Sequence, residues 1–337
     1  MRLAGRVPRE WALTRTLTSK IEASLGEDRR WLAVLAAVTA AELAWWAASW
    51  AAGAAPGPWL FTYLGLAFAG LGGAFLLRML LRRRSPRAAW PGVLIGTAFV
   101  GAGASLFLPL KYAIPKLVPF WLDPPLAAAE RALLGADPWQ VLDRYLGWAT
   151  LPLDRIYALW LPVQMLALFT VMLEAPSRAK SRALIAYSLA WLVLGVIAAT
   201  LLASVGPVFY DRLLGGDAFA ALHDTLRARG ATLALAESDA MWLSLASGEP
   251  GLVAGISAVP SLHVAVALWI VLAARAMAPC AAKWALLYFV VIALGSVQLG
   301  WHYVADGLAG ALGMLAIWAA AGKVDGFRRP AIGQGAG

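Results

Sequence analysis

Two histidines and one aspartate lie in short motifs near the end of the chain. One motif reads Ser-Ala-Val-Pro-Ser-Leu-His and ends at His263, and the other contains His302 and Asp306 in the run His-Tyr-Val-Ala-Asp. Residues four apart share a helix face, so we expect these two side chains to hydrogen-bond. The carboxylate then keeps one imidazole nitrogen protonated and leaves the other as a nucleophile or base. His263 can supply a second group for proton transfer.

The alternative for each histidine is a hydrogen bond to a neighbouring carbonyl, with no chemical role. The spacing of His302 and Asp306 alone does not separate the two interpretations. Both motifs together, in this order and at the same predicted membrane boundary, favour the chemical one, because ionisable groups at membrane depth are functional candidates.

The composition indicates which elements must position these residues. Of the 337 residues, 61% are hydrophobic and 14% are charged, whereas soluble domains carry roughly 25% charge. A soluble globular protein is therefore excluded, and blocks of about 20 apolar residues predict membrane-spanning helices. We predict an all-α, polytopic membrane helix bundle with about eight transmembrane helices, at 31–54, 58–81, 90–112, 153–173, 182–204, 258–278, 283–301 and 302–322.

Lysine and arginine are distributed unevenly over the loops. Segments 1–30, 78–87, 174–182, 275–283 and 323–337 hold 7, 5, 3, 2 and 3 of the 28 basic residues. Cytoplasmic loops are enriched in Lys and Arg, so we expect both termini in the cytoplasm and the histidine motifs at the exoplasmic side of a bacterial cytoplasmic membrane. This topology accounts for the formal net charge of +9, and a nucleic-acid partner is not expected.

Two predicted outer segments, 113–152 and 205–256, are too long to be simple connections. Loops of this length are usually functional, and their mixture of Leu, Trp and Tyr with Arg and Asp fits short helices in the membrane interface. We expect them to cover an outward-facing site. Predicted helix starts are Asp123, Asp137 and Asp217, and predicted helix ends are Gly135, Gly230 and Gly248.

The two histidine motifs resemble those of the type-2 phosphatidic acid phosphatase (PAP2) superfamily, whose last two signatures are PSxH and HxxxD. The resemblance covers roughly residues 90–322 and implies a six-helix catalytic core. We therefore divide the chain into a cytoplasmic basic segment (1–30), a two-helix membrane extension (31–89), a PAP2-like catalytic membrane domain (90–322) and a cytoplasmic tail (323–337).

In that superfamily the histidine of PSxH is the general acid, and the histidine of HxxxD attacks phosphorus and forms a phosphohistidine. Carried onto this sequence, the resemblance assigns these roles to His263 and His302, with Asp306 orienting the nucleophile. It implies no metal and no other cofactor. The chain's single cysteine, Cys280, likewise excludes a cysteine-based metal cage.

The chain departs from the family where two arginines usually bind phosphate. The first signature is usually K-x6-R-P; here Lys111 and Pro119 keep the spacing and Val118 replaces the arginine. The third signature usually opens with Ser-Arg, and here Gly295 and Ser296 stand in those places. A phosphate monoester is close to dianionic at neutral pH and normally requires several cations. The departures therefore favour a singly charged lipid phosphodiester as the substrate.

A similar divergent pattern occurs in the inositol phosphorylceramide synthase, or inositolphosphotransferase-like, branch. The stretches SVGPVFYDR at 204–212 and PFWLDPPL at 119–126 resemble motifs of that branch. The resemblance implies transfer of a phosphoryl headgroup from a phospholipid to a lipid or alcohol hydroxyl. For Arg212, the alternative is an interfacial anchor. The expected substrate-binding residues are Lys111, Tyr210, Arg212, Ser261 and Tyr303.

The leading hypothesis is an integral membrane phosphotransferase that acts on lipid phosphodiesters through a phosphohistidine. The same site with water as the acceptor would make a lipid phosphate or polyprenyl diphosphate phosphatase. A lipid transporter is expected to display repeat symmetry, which this sequence lacks. The expected partners are a phospholipid donor, a lipid or alcohol acceptor and membrane lipids; the sequence predicts no oligomeric state.

Two further ionisable residues fall outside the motifs. Glu42 lies near the middle of the first span, where a carboxylate is energetically expensive. We expect it to bond a neighbouring helix, with a proton relay as the alternative. His223 lies in a polar, helical stretch and is expected to be exposed to solvent.

Overall fold

The regular elements of the described residues are all helical and follow the apolar blocks of the sequence. The structure is a computed structural model that describes residues 26, 28–82, 88–248 and 255–324. The predicted basic segment 1–30 and the tail 323–337 therefore lie almost wholly outside the described residues. The prediction of an all-α, polytopic helical bundle is confirmed.

Each of the eight predicted spans has a helical counterpart. Among the described residues, six helices are long and apolar enough to cross a membrane, and a bent pair of helices gives a seventh candidate. The predicted sixth span corresponds to a shorter apolar helix of 16 residues. In chain order the helices are α1 (Asp28–Ala51), α2 (Leu60–Arg82), α3 (Trp90–Leu117), α4 (Asp123–Leu134), α5 (Pro138–Leu146), α6 (Thr150–Ala158), α7 (Trp160–Met172), α8 (Arg178–Leu201), α9 (Pro207–Leu214), α10 (Ala220–Ala228), α11 (Thr232–Ser247), α12 (Leu262–Met277), α13 (Ala282–Gln298) and α14 (Val304–Val324).

Two spans differ from their predicted bounds in ways that shape the site. Helix α3 continues to Leu117, so the first outer segment begins at 118 instead of 113. The predicted span 153–173 is broken between α6 and α7, where the helical stretch Pro138–Ala158 meets Trp160–Met172 at a bend of 46°. Pro162 accounts for the break, because proline lacks an N–H and its ring clashes with the carbonyl four residues earlier, at Ala158.

The short outer helices confirm some of the predicted caps and correct others. Asp137 caps α5 in a capping box with Gln140, and Gly135 and Gly248 end their helices in the left-handed conformation. The predicted cap at Asp123 is wrong: α4 is preceded by Leu122, and the Asp123 carboxylate binds backbone N–H groups of another loop. The predicted cap at Asp217 is also wrong, since Phe219 precedes α10.

A buried ion pair joins the N-terminal extension to the rest of the bundle. The Lys180 ammonium on α8 lies 3.1 Å from a carboxylate oxygen of Asp28 on α1, and their side chains are 0% and 1% exposed. The Trp31 indole N–H donates to the same carboxylate at 2.9 Å. A Cβ on Gly92 would lie 2.9 Å from Asp28 Oδ2, so the absence of a side chain there lets the carboxylate approach α3.

We expect Lys180→Met to destabilise the protein strongly, because it leaves the Asp28 carboxylate buried and unpaired. Breaking a buried pair from one side costs about 3–5 kcal/mol, whereas replacing both partners by apolar residues is often neutral. Thermal unfolding of detergent-solubilised variants measures this effect. The Asp28→Leu/Lys180→Met double variant is the control and should recover much of the lost stability. Equal losses in the single and double variants would contradict the role of the charge pair.

The two ionisable residues outside the motifs differ from expectation. Glu42 is 2% exposed and lines a cavity of about 50 Å³ together with Gly103 and Trp191. The predicted bond to a neighbouring helix is not found among the described residues. His223 is half-buried instead of exposed, and its Nε2 lies 3.0 Å from the Val208 carbonyl oxygen.

Candidate active site

A tight turn between α13 and α14 positions His302. Gly300 adopts φ +74°, and a Cβ there would lie 2.4 Å from the Leu222 side chain, so both conformation and space require glycine. The His302 N–H donates to the Ser296 carbonyl at 3.0 Å and closes the turn. His302 thus precedes α14, which begins at Val304, whereas the predicted span 302–322 included it in the helix.

Asp306 holds the His302 ring from the first turn of α14. Nδ1 of His302 lies 3.4 Å from Oδ2 of Asp306, and because a carboxylate only accepts, Nδ1 carries the hydrogen. The Tyr303 N–H donates to the same oxygen at 3.0 Å. Burial, and then the charge of Lys111, lowers the pKa of His302. The ring is therefore neutral, with its Nε2 lone pair available.

His263 faces this lone pair from the first turn of α12. Ser261 caps that helix by accepting the Val264 N–H at 3.3 Å, and its own N–H donates to the Asp306 carbonyl at 3.0 Å. Nδ1 of His263 lies 3.4 Å from Nε2 of His302. The structure therefore brings His263, His302 and Asp306 together; their chemical roles stay predictions.

Two aromatic residues that sequence reasoning missed hold the His263 ring. Tyr157, at the end of α6, is stacked on it at 4.9 Å between centroids and 25° between planes. The ring centroid of Trp160, at the start of α7, lies 4.3 Å from that of His263. The Trp160 indole N–H donates to the His263 carbonyl at 3.1 Å. The helix break between them directs both to one partner. Pro162 signals such a break in the sequence, but nothing in the sequence indicates which residue the two rings meet.

Lys111 is a buried basic side chain whose protonated form acts on the histidine pair. It is 7% exposed, and its charge acts on both imidazoles. Its Nζ lies 5.7 Å from the centroid of the Phe107 ring. Among the described residues, no carboxylate forms an ion pair with it, whereas Arg155 on α6 and Arg131, Arg212 and Arg229 on the outer segments are each paired with an aspartate.

The other four predicted substrate-binding residues make their contacts with residues other than the two histidines. The Ser261 hydroxyl is occupied as a helix cap. The Tyr303 hydroxyl is buried and faces the Asp123 carboxylate, and the half-buried Tyr210 ring packs 5.1 Å from Phe219. Arg212 donates through Nη2 to Asp239 at 2.5 Å, while its Nη1 is buried without a partner. Among the described residues, none of these four side chains hydrogen-bonds to either histidine.

Two carboxylates on α4 fasten the loops around the site. Asp123 accepts from the Ser204 hydroxyl and from the Val205 and Gly206 N–H groups at 2.8–3.1 Å. Its partners belong to the SVGP stretch, so the two segments singled out by the branch resemblance contact each other. Glu130 accepts the Ala305 N–H at 2.8 Å and so caps α14 beside Asp306. Sequence reasoning missed Glu130; its only signal is a carboxylate seven residues after Asp123.

Val118 and Ser296 occupy the positions of the two absent arginines. Val118 follows the end of α3 as an extended residue. Ser296 is 1% exposed, and its hydroxyl donates to the Ala293 carbonyl at 2.8 Å. A Cβ on Gly295 would lie 3.2 Å from the Tyr157 ring, so glycine leaves that ring room to stack on His263.

Comparison with known proteins places both histidine motifs in one family. A family model described as PAP2 superfamily matches residues 125–320, which is more than half of the chain and includes His263, His302 and Asp306. Neither a curated protein nor a solved structure gives a significant match. With this match and the helical bundle that carries the motifs, the chain belongs to the PAP2 superfamily and is an integral membrane protein.

Proposed function

We propose that this protein is a membrane phosphotransferase that moves a phosphoryl headgroup from a phospholipid diester to a lipid or alcohol hydroxyl through a phosphohistidine. Membership of the PAP2 superfamily suggests phosphatase or phosphotransferase activity on lipid phosphates. The charge of the site supports a phospholipid diester as the donor. Among the described residues, Lys111 is the one cation without an ion pair whose charge acts on both histidines.

A single buried cation matches a singly charged ligand. A phosphodiester carries one negative charge, whereas a monoester is close to dianionic at neutral pH. The second charge of a monoester would remain uncompensated in a buried site, which is costly. Val118 and Ser296 stand where the family usually has arginines, and neither adds a positive charge to the site.

The transfer proceeds in two steps. The Nε2 lone pair of His302 forms a bond to phosphorus, the bond from phosphorus to the leaving oxygen breaks, and His263 gives that oxygen its proton. Next the acceptor hydroxyl gives its proton to His263, its oxygen bonds to phosphorus, and the N–P bond electrons return to Nε2. Asp306 holds the Nδ1 proton throughout, which keeps the lone pair on the reacting nitrogen.

The substrate must part the two imidazoles. Reacting atoms in a near-attack geometry are about 3–3.5 Å apart, and the two facing ring nitrogens are already only 3.4 Å apart. Phosphorus at attacking distance from His302 would therefore occupy the present position of His263 Nδ1. We propose that the two facing imidazole nitrogens move apart when the donor enters.

We also propose that the site faces the exoplasmic side, with both termini in the cytoplasm. His263 and His302 lie at the start of α12 and just before α14, while Arg275 and Lys323 lie near the far ends of the same helices. Lys and Arg are enriched on the cytoplasmic side of membrane proteins. The outer helices α4, α9, α10 and α11 are then the cover of the site.

Incubation with a lipid panel tests the proposal. We expect purified enzyme in detergent to transfer a headgroup from a diester (phosphatidylinositol, phosphatidylglycerol, phosphatidylethanolamine or phosphatidylcholine) to an added alcohol, with mass-spectrometric detection of the product. Phosphatidic acid should be the poorer substrate. Lys111→Met should lower kcat/KM for the diester by about 10- to 150-fold, the value of a hydrogen bond to a charged group.

Lys116→Met is the matched control, because Lys116 lies on the same helix but is exposed. It should leave transfer nearly unchanged. Release of orthophosphate from phosphatidic acid without transfer from any diester would replace this proposal with the phosphatase.

A further inference from the structure

His263 must carry a proton at a position that disfavours a cation. It lies in the first turn of α12, where the positive end of the helix dipole repels a positive charge. The charge of Lys111 also acts on the ring. The proton donor of the proposed reaction therefore requires compensating contacts, and among the described residues no carboxylate bonds to it.

Aromatic faces supply such compensation. A cation within about 6 Å of an aromatic centroid is attracted by the negative ring face, and more strongly when water is excluded. Tyr157 and Trp160 have centroids 4.9 and 4.3 Å from that of His263, and their residues are 5% and 8% exposed. The Tyr157 plane is within 25° of the imidazole plane, so its face is turned toward the ring.

The same two residues also fix where the ring lies. The Trp160 indole N–H holds the His263 carbonyl at 3.1 Å, and Trp301 backs Tyr157 in a nearly parallel plane, 7° apart, at 6.5 Å. The Tyr157 hydroxyl is buried without a hydrogen-bond partner. Its position is therefore set by stacking and not by a polar contact.

We infer that Tyr157 and Trp160 are positioning residues for the proton-donating step, which hold the His263 ring and stabilise its imidazolium form through their aromatic faces. This inference rests on the proposed function. The two residues should therefore affect the rate of phosphoenzyme formation most when the leaving group has to be protonated. Attack by His302 itself should be little affected.

Two lipid diester probes separate these steps: hexadecyl 4-nitrophenyl phosphate and hexadecyl phenyl phosphate. Nitrophenolate leaves readily without a proton, whereas phenolate leaves more readily with one. We expect Tyr157→Leu and Trp160→Leu to slow phosphoenzyme formation from the phenyl ester by roughly three- to thirtyfold, the range of one cation–π contact, with little change for the nitrophenyl ester. Trp160→Phe, which keeps an aromatic face, should retain most of the wild-type ratio between the probes.

The ratio of the two rates within one preparation is independent of how much protein folds. Trp269→Leu is the matched control, because Trp269 is a fully buried tryptophan that bonds the Ala183 carbonyl; it should lower both rates equally. If the Tyr157 and Trp160 variants leave the ratio at its wild-type value, the inference is wrong. His302→Ala should form no phosphoenzyme from either probe. If the wild type forms none either, the proposed function itself is wrong.

Discussion

His302→Ala should abolish both the covalent phosphoenzyme and turnover. In the structure the Nε2 lone pair of the His302 imidazole faces His263, since Nδ1 donates to Asp306. Alanine offers no nucleophile, and no second histidine has a carboxylate behind it among the described residues. Labelled donor lipid, followed by gel analysis under alkaline conditions, should reveal an acid-labile, base-stable adduct on the wild-type protein and none on His302→Ala.

His263→Ala provides the comparison for that experiment. It keeps the nucleophile and removes the proton donor, so the adduct should still form, but slowly, because positioned acid catalysis contributes ~10²–10⁴-fold. Membrane expression of each variant must be matched to that of the wild type. An adduct that persists in His302→Ala would assign the nucleophile to another residue.

Asp306→Asn should lower the rate of phosphoenzyme formation by several orders of magnitude without unfolding the site. Asparagine has the shape of aspartate, so helix α14 is retained. Oδ2 of Asp306 faces both the Tyr303 N–H and His302 Nδ1. An amide nitrogen in its place would donate to Nδ1 at the loss of the Tyr303 bond, which moves the imidazole hydrogen to Nε2 and removes the nucleophilic lone pair. In a Ser-His-Asp site the same exchange costs about 10⁴ in rate by favouring the wrong tautomer.

Asp137→Asn is the matched control for this exchange. Asp137 caps α5 and pairs with Arg131 on the outer segment, and asparagine is an equally good cap. Pre-steady-state trapping of the adduct distinguishes the two variants. A near-normal rate in Asp306→Asn would mean that the carboxylate serves the structure of the turn and not the tautomer of His302.

The sequence by itself determined where the apolar helices lie and which three ionisable residues are candidates for the site. Helix formation depends on local apolar blocks, which are contiguous in sequence, and the PSxH and HxxxD motifs are each confined to a few residues. The turn required between the last two spans was also predictable, and Gly300 makes it. The exact start of α14 was not, because a boundary between two adjoining apolar blocks has no periodic signal.

Only the tertiary structure decided which side chains meet. Trp160 reaches the His263 carbonyl across 103 residues of chain, and Glu130 caps α14 from 175 residues away. Asp123 has the sequence pattern of a helix cap, yet three buried donors of a distant loop draw its carboxylate away from its own helix. Lys111 gained support as a ligand because it is buried and its charge acts on both histidines, whereas Arg212 is paired with Asp239. Such pairings depend on which helix faces pack together, and local periodicity indicates that a face is apolar without specifying its partner.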